Sequence, residues 1–259
     1  MDLHVETHGD GPVVVLGHGF GGSARNWGPQ VRALRGTHRV VVFDARGHAR
    51  SPAPVSPRAY SIASFVSDLA GVVADAAGAE PAVVGGLSMG AGIALQYALE
   101  TPERTRALVL MAPPPAADPR QRGRGWASEF ARAIEHDGLE AAGERFAWGD
   151  GSGLDPAAGR LVRQGFLEHP PHALAHVLRG VLDAWPTWDE QEPALRRLRV
   201  PTLLVVGERD ALSLRMAQDL AAVLPDARLE VVADAGHVVN LAARERVNAL
   251  LLEFLESLG

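Results

Sequence analysis

Ser88 sits in "AVVGGLSMGA" (82–91), between Gly86 and Gly90, at the end of an apolar run and the start of a helical pattern. This fits G-x-S-x-G, in which a sharp strand-to-helix turn holds a serine in a strained conformation over the positive end of a helix. A serine hydroxyl is a poor nucleophile at neutral pH, so it needs a base, and the base needs an orienting acid. His237 in "VVADAGHVVNL" follows the last strand-like run and is the candidate base. Asp210 in "LLVVGERDAL" follows the preceding run and is the candidate acid, with Glu208 and Asp234 as competitors; Asp234, three residues before His237, is better suited to shaping the turn. The order Ser88, Asp210, His237 is the one expected of this architecture.

An acyl-transfer intermediate also needs hydrogen-bond donors where negative charge develops. "GHGFGGS" (17–23) follows the first long apolar run with a loop of small residues. The amides of Phe20 and of Met89, the residue after the serine, form the candidate oxyanion hole. His18 is read as a support of that loop through its ring hydrogen bonds.

Composition removes other chemistries. The 259 residues contain no cysteine and no lysine, so disulfides, thiolate sites and Schiff bases are excluded, and all 25 basic residues are arginine. The net charge of −6 and the absence of a basic, aromatic-interleaved run argue against nucleic acid as a partner. His172 and His176 are four apart, as in a zinc site, but no companion glutamate follows the metalloprotease pattern, so no metal is expected. No phosphate-binding G-x-x-x-x-G-K loop occurs, and no cofactor is expected.

The apolar runs at 12–17, 39–43, 82–86, 107–112, 202–207 and 228–233 are nearly continuous, as in strands covered on both faces. Helical periodicity separates them: an apolar stripe over 61–78, a helix from Ser88 to about Glu100, and a last one over 242–257. The alternation predicts an α/β fold with a doubly wound, mostly parallel sheet. Residues 1–113 and 199–259 are expected to form the core, and 114–198, helical and Gly-punctuated, an inserted helical cap.

Together "HGFGG", "FDARGHARS", "GLSMGAG", "GERDAL" and "DAGHVVNL" resemble the α/β-hydrolase superfamily, and most closely its small capped esterases and 3-oxoadipate enol-lactonases. The resemblance implies a serine hydrolase of a small-molecule carboxylic ester or lactone. It leaves as alternatives a C–C bond hydrolase or lyase, lowered by Leu87 where such enzymes usually carry asparagine, and a small-molecule receptor with slow hydrolysis. Ala49 departs from the family's D-x-R-G-H-G-x-S stretch, where glycine is usual, and Ala91 stands where a second glycine is common. Asp44 and Arg46 of that stretch are expected to form a structural ion pair.

Aromatics concentrate in the cap, with Trp126, Trp148, Trp185, Trp188, Phe130, Phe146 and Phe166 all inside 114–198. Trp27, Trp126, Trp148 and Trp185 are the candidate substrate-binding residues, lining an apolar pocket. The arginines of "PRQRGRGW" (119–126) could meet an anionic group, although an exposed solvated loop is the better explanation. With neither a basic leader nor a membrane-length apolar segment, the expected setting is cytoplasmic, without a membrane partner, as a monomer or homodimer.

Overall fold

A computed structural model describes residues 1–118, 120, 123–148 and 156–259. Its strands are β1 (Val5–His8), β2 (Val13–Gly17), β3 (Arg39–Phe43), β4 (Ala82–Leu87), β5 (Thr105–Met111), β6 (Thr202–Gly207) and β7 (Ala227–Val232). They form one sheet in the order β1-β3-β2-β4-β5-β6-β7. All neighbours pair parallel except β1, which runs antiparallel to β3. Every residue of β4 and β6 is buried, which explains why those runs lack polar alternation.

The helices are α1 (Gly28–Leu34), α2 (Ile62–Ala77), α3 (Met89–Glu100), α4 (Trp126–Gly143), α5 (Pro156–Phe166), α6 (Pro171–Val177), α7 (Trp188–Leu195), α8 (Ala211–Val223), α9 (Val239–Ala242) and α10 (Arg244–Ser257). Alternate strand residues face opposite layers. Val14, Leu16, Val40 and Val42 pack with Val31 and Leu34 of α1 and Leu250, Leu251 and Phe254 of α10. Val15, Val41 and Val84 pack with Phe65, Leu69 and Val73 of α2, Ile93 of α3 and Leu220 of α8. Burying both faces of a seven-stranded sheet in this way supplies most of the driving force for folding.

Between β5 and β6 the chain forms α4 to α7 with no strand among the described residues. The N-terminal strand β1, short and half-exposed, lies outside the apolar runs and pairs through its backbone. No helix among the described residues is long and apolar enough to cross a membrane.

The strand order dictates where a site can form. From β2 the chain moves to β3 on one side, then returns to β4 on the other, so the connections leaving β2 and β4 diverge. Such a switch point opens a crevice at the carboxyl ends of the strands. The loop after β2 and the turn after β4 flank it.

Candidate functional site

Ser88 occupies the junction of β4 and α3 with φ 53° and ψ −116°, a left-handed backbone that a side-chain-bearing residue adopts only under constraint. The constraint comes from the neighbours. Ser88 N–H donates to Met111 O at 2.9 Å, and Ser88 O accepts from Gly92 N–H at 3.0 Å. A Cβ at Gly90 would stand 2.2 Å from Gly17 O, and one at Gly86 2.5 Å from the same oxygen. The two glycines of the motif are therefore required for close approach, since they let the turn press against the end of β2. Leu87 and Met89 are buried on either side, while Ser88 itself is partly exposed.

The loop after β2 lies directly against the serine, because a Cβ at Gly19 would contact Ser88 Cβ at 3.4 Å. Gly22 N–H closes a turn on Gly19 O at 3.0 Å, with Gly21 at φ 68°. His18 is buried, places Nδ1 2.7 Å from Gly19 O, and accepts the Ala45 N–H on Nε2 at 2.9 Å. That acceptor role fixes the tautomer: Nδ1 carries the proton and donates to Gly19 O. Burial pulls the His18 pKa down to about 4, so the ring stays neutral. Met89 is the first residue of α3, so its N–H is one of the helix's unpaired amino-terminal donors. Among the described residues no acceptor pairs with the Phe20 N–H either.

Asp210 and His237 come together at the same edge. Asp210 caps α8, accepting the Ser213 N–H at 3.2 Å on Oδ1, and its Oδ2 lies 2.6 Å from His237 Nδ1. Burial raises the Asp210 pKa, but the His237 hydrogen bond and charge together with the Ser213 bonds outweigh it, and the carboxyl lies below its ordinary value. The loops carrying the pair are stitched together by Glu208 N–H to Val232 O and Arg209 N–H to Ala235 O, both 2.9 Å. Gly207 makes this possible, because a Cβ there would stand 2.4 Å from both Ala235 O and Gly236 O. The competing carboxylates are engaged elsewhere. Glu208 accepts the Asp234 N–H, and Asp234, at φ 59°, pairs with Arg209 at 2.5 Å.

The segment between β5 and β6 that carries α4 to α7, called the cap below, brings aromatic rings against Phe20. Phe20 meets Phe130 and Phe166 edge-on at 5.7 and 5.9 Å, and Phe130 stacks on Phe146 and Phe166. Trp148 contacts Phe166 edge-on at 5.4 Å and donates Nε1–H to Glu144. Trp185 is buried against the first turn of α3, where a Cβ at Gly92 would collide with its ring. The other two candidate tryptophans lie apart from this cluster's centre. Trp126 is half-exposed and touches Phe130. Trp27 is fully buried in the core layer of α1 and α10.

One expectation is corrected. Asp44 and Arg46 do not pair with each other. Asp44, fully buried, accepts from Ala24 N–H at 2.7 Å and Arg50 Nε–H at 2.7 Å, and Arg46 forks onto Asp68 at 2.5 and 2.6 Å. The turn at 45–49 sends the two side chains apart, and each finds its counter-charge on another segment. Ala49 adopts φ 42° in that turn, the conformation for which glycine is suited. His172 and His176 each place Nε2 near a carbonyl, Ala53 O and Val55 O, and among the described residues no cluster could hold a metal ion. Arg120 pairs with Asp118 at the surface, and Arg122 lies outside the described residues.

One participant at this edge carries no motif: His169, in the segment between α5 and α6, reaches the loop only through folding. His169 places Nε2 3.0 Å from Gly22 O, a contact that joins positions 147 residues apart.

A family model described as the alpha/beta hydrolase fold matches residues 12–243. The putative carbamate hydrolase RutD of Azorhizobium caulinodans is 32% identical over 268 residues, covering 98% of this chain and 94% of that protein. The putative 2-succinyl-6-hydroxy-2,4-cyclohexadiene-1-carboxylate synthase of Bacillus subtilis is 32% identical over 257 residues, covering 95% and 90%. Among solved structures, a malate-bound thermophilic esterase from Thermogutta terrifontis superposes with a TM-score of 0.87 at 27% identity, covering 99% and 93%.

Proposed function

Because this chain belongs to the alpha/beta hydrolase fold family, we propose that it hydrolyses a carboxylic ester or lactone through an acyl-enzyme on Ser88. The observation that carries the reading is the 2.6 Å contact between Asp210 Oδ2 and His237 Nδ1 at the sheet edge that also bears the strained Ser88. With Nδ1 held by a carboxylate, the imidazole works through Nε2. Nε2 takes the Ser88 proton as the hydroxyl attacks the carbonyl carbon, and the C–O double bond opens to an oxyanion facing the Phe20 and Met89 amides. The oxyanion then collapses, the bond to the leaving alkoxide breaks, and Nε2–H protonates it. Water, deprotonated by the same nitrogen, attacks the acyl carbon and frees Ser88 as the carboxylic acid departs. Asp210 keeps the tautomer and stabilises the imidazolium formed in each half.

Phe20, Phe130, Phe146, Phe166 and Trp148 favour an apolar acyl or alcohol group beneath the cap. A carbamate is the second reading, favoured by the name of the 32% identical Azorhizobium relative. The same attack then yields a carbamoyl-enzyme, distinguished by a rapid burst of alcohol followed by slow turnover. The test is Ser88→Ala on a short p-nitrophenyl ester, with a fall of at least about a thousandfold expected in turnover. Retention of a tenth of the activity would remove Ser88 from the mechanism.

A further inference from the structure

His169 is 4% exposed, yet it belongs to the cap, in the segment joining α5 to α6. Both of its ring nitrogens face carbonyl oxygens, Nδ1 at 3.1 Å from Phe166 O and Nε2 at 3.0 Å from Gly22 O. A neutral imidazole carries one N–H, so one of the two contacts is a donation, and it is the Nε2–H tautomer that lets the ring hold Gly22 O. The acceptor it selects is significant. Gly22 O belongs to the turn whose other members are Gly19 O, held by His18 Nδ1–H and by Gly22 N–H, and Phe20, whose amide is the proposed oxyanion donor.

Around this turn the cap and core are closely packed. A Cβ at Gly21 would stand 2.4 Å from the Phe166 ring, so the loop has no room for a side chain on that side. The His169 ring stands edge-on to His48 at 5.2 Å, and His48 edge-on to His18 at 4.9 Å. His48 is fully buried and its Nε2 has no hydrogen-bond partner among the described residues, so it acts as a packing wedge in this stack. Beside them, Glu168 is engaged with Arg25 at 2.8 Å, which ties the same cap segment to the chain just beyond the loop.

We infer that His169 is a positioning residue: from the cap, its Nε2–H holds Gly22 O and so fixes the turn that aims the Phe20 amide at the oxyanion. The oxyanion loop has no fixed shape of its own, since five of the seven residues in Gly17–Ser23 are glycine or serine. A donor aimed about an ångström off the oxyanion loses most of its effect. His18 anchors the loop from the core and His169 anchors it from the cap, so the hole is complete only with the cap docked on the loop. Substrate binding, which the proposed reading assigns to the aromatic side chains of the cap, is a separate matter from this alignment. Loss of His169 therefore acts on the transition state and spares ground-state binding.

The inference rests on the proposed serine-hydrolase reading, and the experiment keeps the two apart. Ser88→Ala, His169→Leu and His169→Gln are compared for kcat and KM on a p-nitrophenyl ester and for inhibition by a trifluoromethyl ketone. That ketone forms a hemiketal with the serine and places its oxyanion in the hole. His169→Leu, which has no donor, should lower kcat and weaken the ketone by about tenfold each, a fraction of the effect of deleting an oxyanion donor outright. KM should stay within about twofold. His169→Gln, whose amide can reach Gly22 O, should recover most of both losses. In the unmodified protein, ring-15N-labelled histidine should show the tautomer of His169 with its proton on Nε2, a result that needs no variant to fold. A folded His169→Leu with unchanged kcat and unchanged ketone inhibition, or a bare His169 Nε2, overturns the inference. Activity surviving in Ser88→Ala overturns the serine-hydrolase reading instead.

Discussion

Replacing Asp210 by asparagine separates the chemistry of the site from its architecture. The carboxylate performs two tasks: Oδ1 accepts the Ser213 N–H that caps α8, and Oδ2 holds His237. Asparagine caps a helix about as well as aspartate, so the first task survives. The second does not, because the charge that stabilises the imidazolium is gone and the amide can present N–H to Nδ1, favouring the wrong tautomer. With charge centres about 4 Å apart and an effective dielectric constant of about 20, the lost attraction is about 4 kcal/mol, or about a thousandfold in rate. The His237 side chain is 40% exposed, and water screens part of this. The expected fall in kcat on a p-nitrophenyl ester is therefore between about a hundredfold and a thousandfold, with a melting temperature within about 2 °C of the unmodified protein. Asp210→Ala should show a similar loss of rate and in addition lose about 1 kcal/mol of stability with the cap. An asparagine variant within about tenfold of the original kcat would refute the assignment of Asp210 as the orienting acid. Since the Asp210 pKa lies below its ordinary value, the carboxylate is charged throughout the neutral range.

The remaining predictions concern stability. Ala49 holds φ 42°, which costs a side-chain-bearing residue about 1–2 kcal/mol, whereas glycine loses about 0.5–1 kcal/mol in unfolded-chain entropy. Ala49→Gly should therefore stabilise by about 0.5–1 kcal/mol and raise the melting temperature by about 1–3 °C; a lower melting temperature would show that the alanine methyl contributes more than its strain costs. His18, driven by burial from 6.5 to about 4, is neutral in the folded protein where the unfolded chain takes up a proton. Its contribution is complete above pH 6.5 and lost as the pH falls from there toward about 4, on the order of 3 kcal/mol in total, and His48 shifts in the same direction. Urea unfolding at pH 7 and pH 4.5 should show the decline, and His18→Gln should flatten it; an equal decline in that variant would remove His18 as its source.

Much of this fold is legible in the chain because its strands are buried on both faces. "RVVVF" and "TLLVVG" coincide with β3 and β6, and the helix expected from Ser88 runs over Met89–Glu100. β1 falls outside the apolar runs because it pairs through its backbone at the sheet edge, where a half-exposed "VETH" needs no apolar run. At the site, residues next to strand ends could be placed by order alone, since a parallel sheet delivers every such loop to one edge. Which of Asp210, Glu208 and Asp234 faces His237 depends on side-chain direction, which order does not specify. The reversed partners of Asp44 and Arg46 have the same origin: proximity in sequence says nothing of direction after a tight turn.

Trp27 illustrates the opposite limit. An indole close to the "HGFGG" loop in sequence ends the short turn Ala24–Trp27 and packs in the core layer with Val31 and Leu34 of α1. His169 was hidden for a related reason: its partner is a backbone carbonyl, and backbone acceptors leave no trace in residue types. The residues that do announce this edge are the glycines. Gly90 packs on Gly17 O across α3 and β2, and Gly207 admits the His237 loop, both at separations that no Cβ could occupy. A side chain at Gly90 or Gly207 would move a loop by about an ångström, the displacement that acyl transfer tolerates least. The glycines thus maintain the geometry of the edge by close packing, while Ser88, Ala112 and Asp234 carry its left-handed backbone.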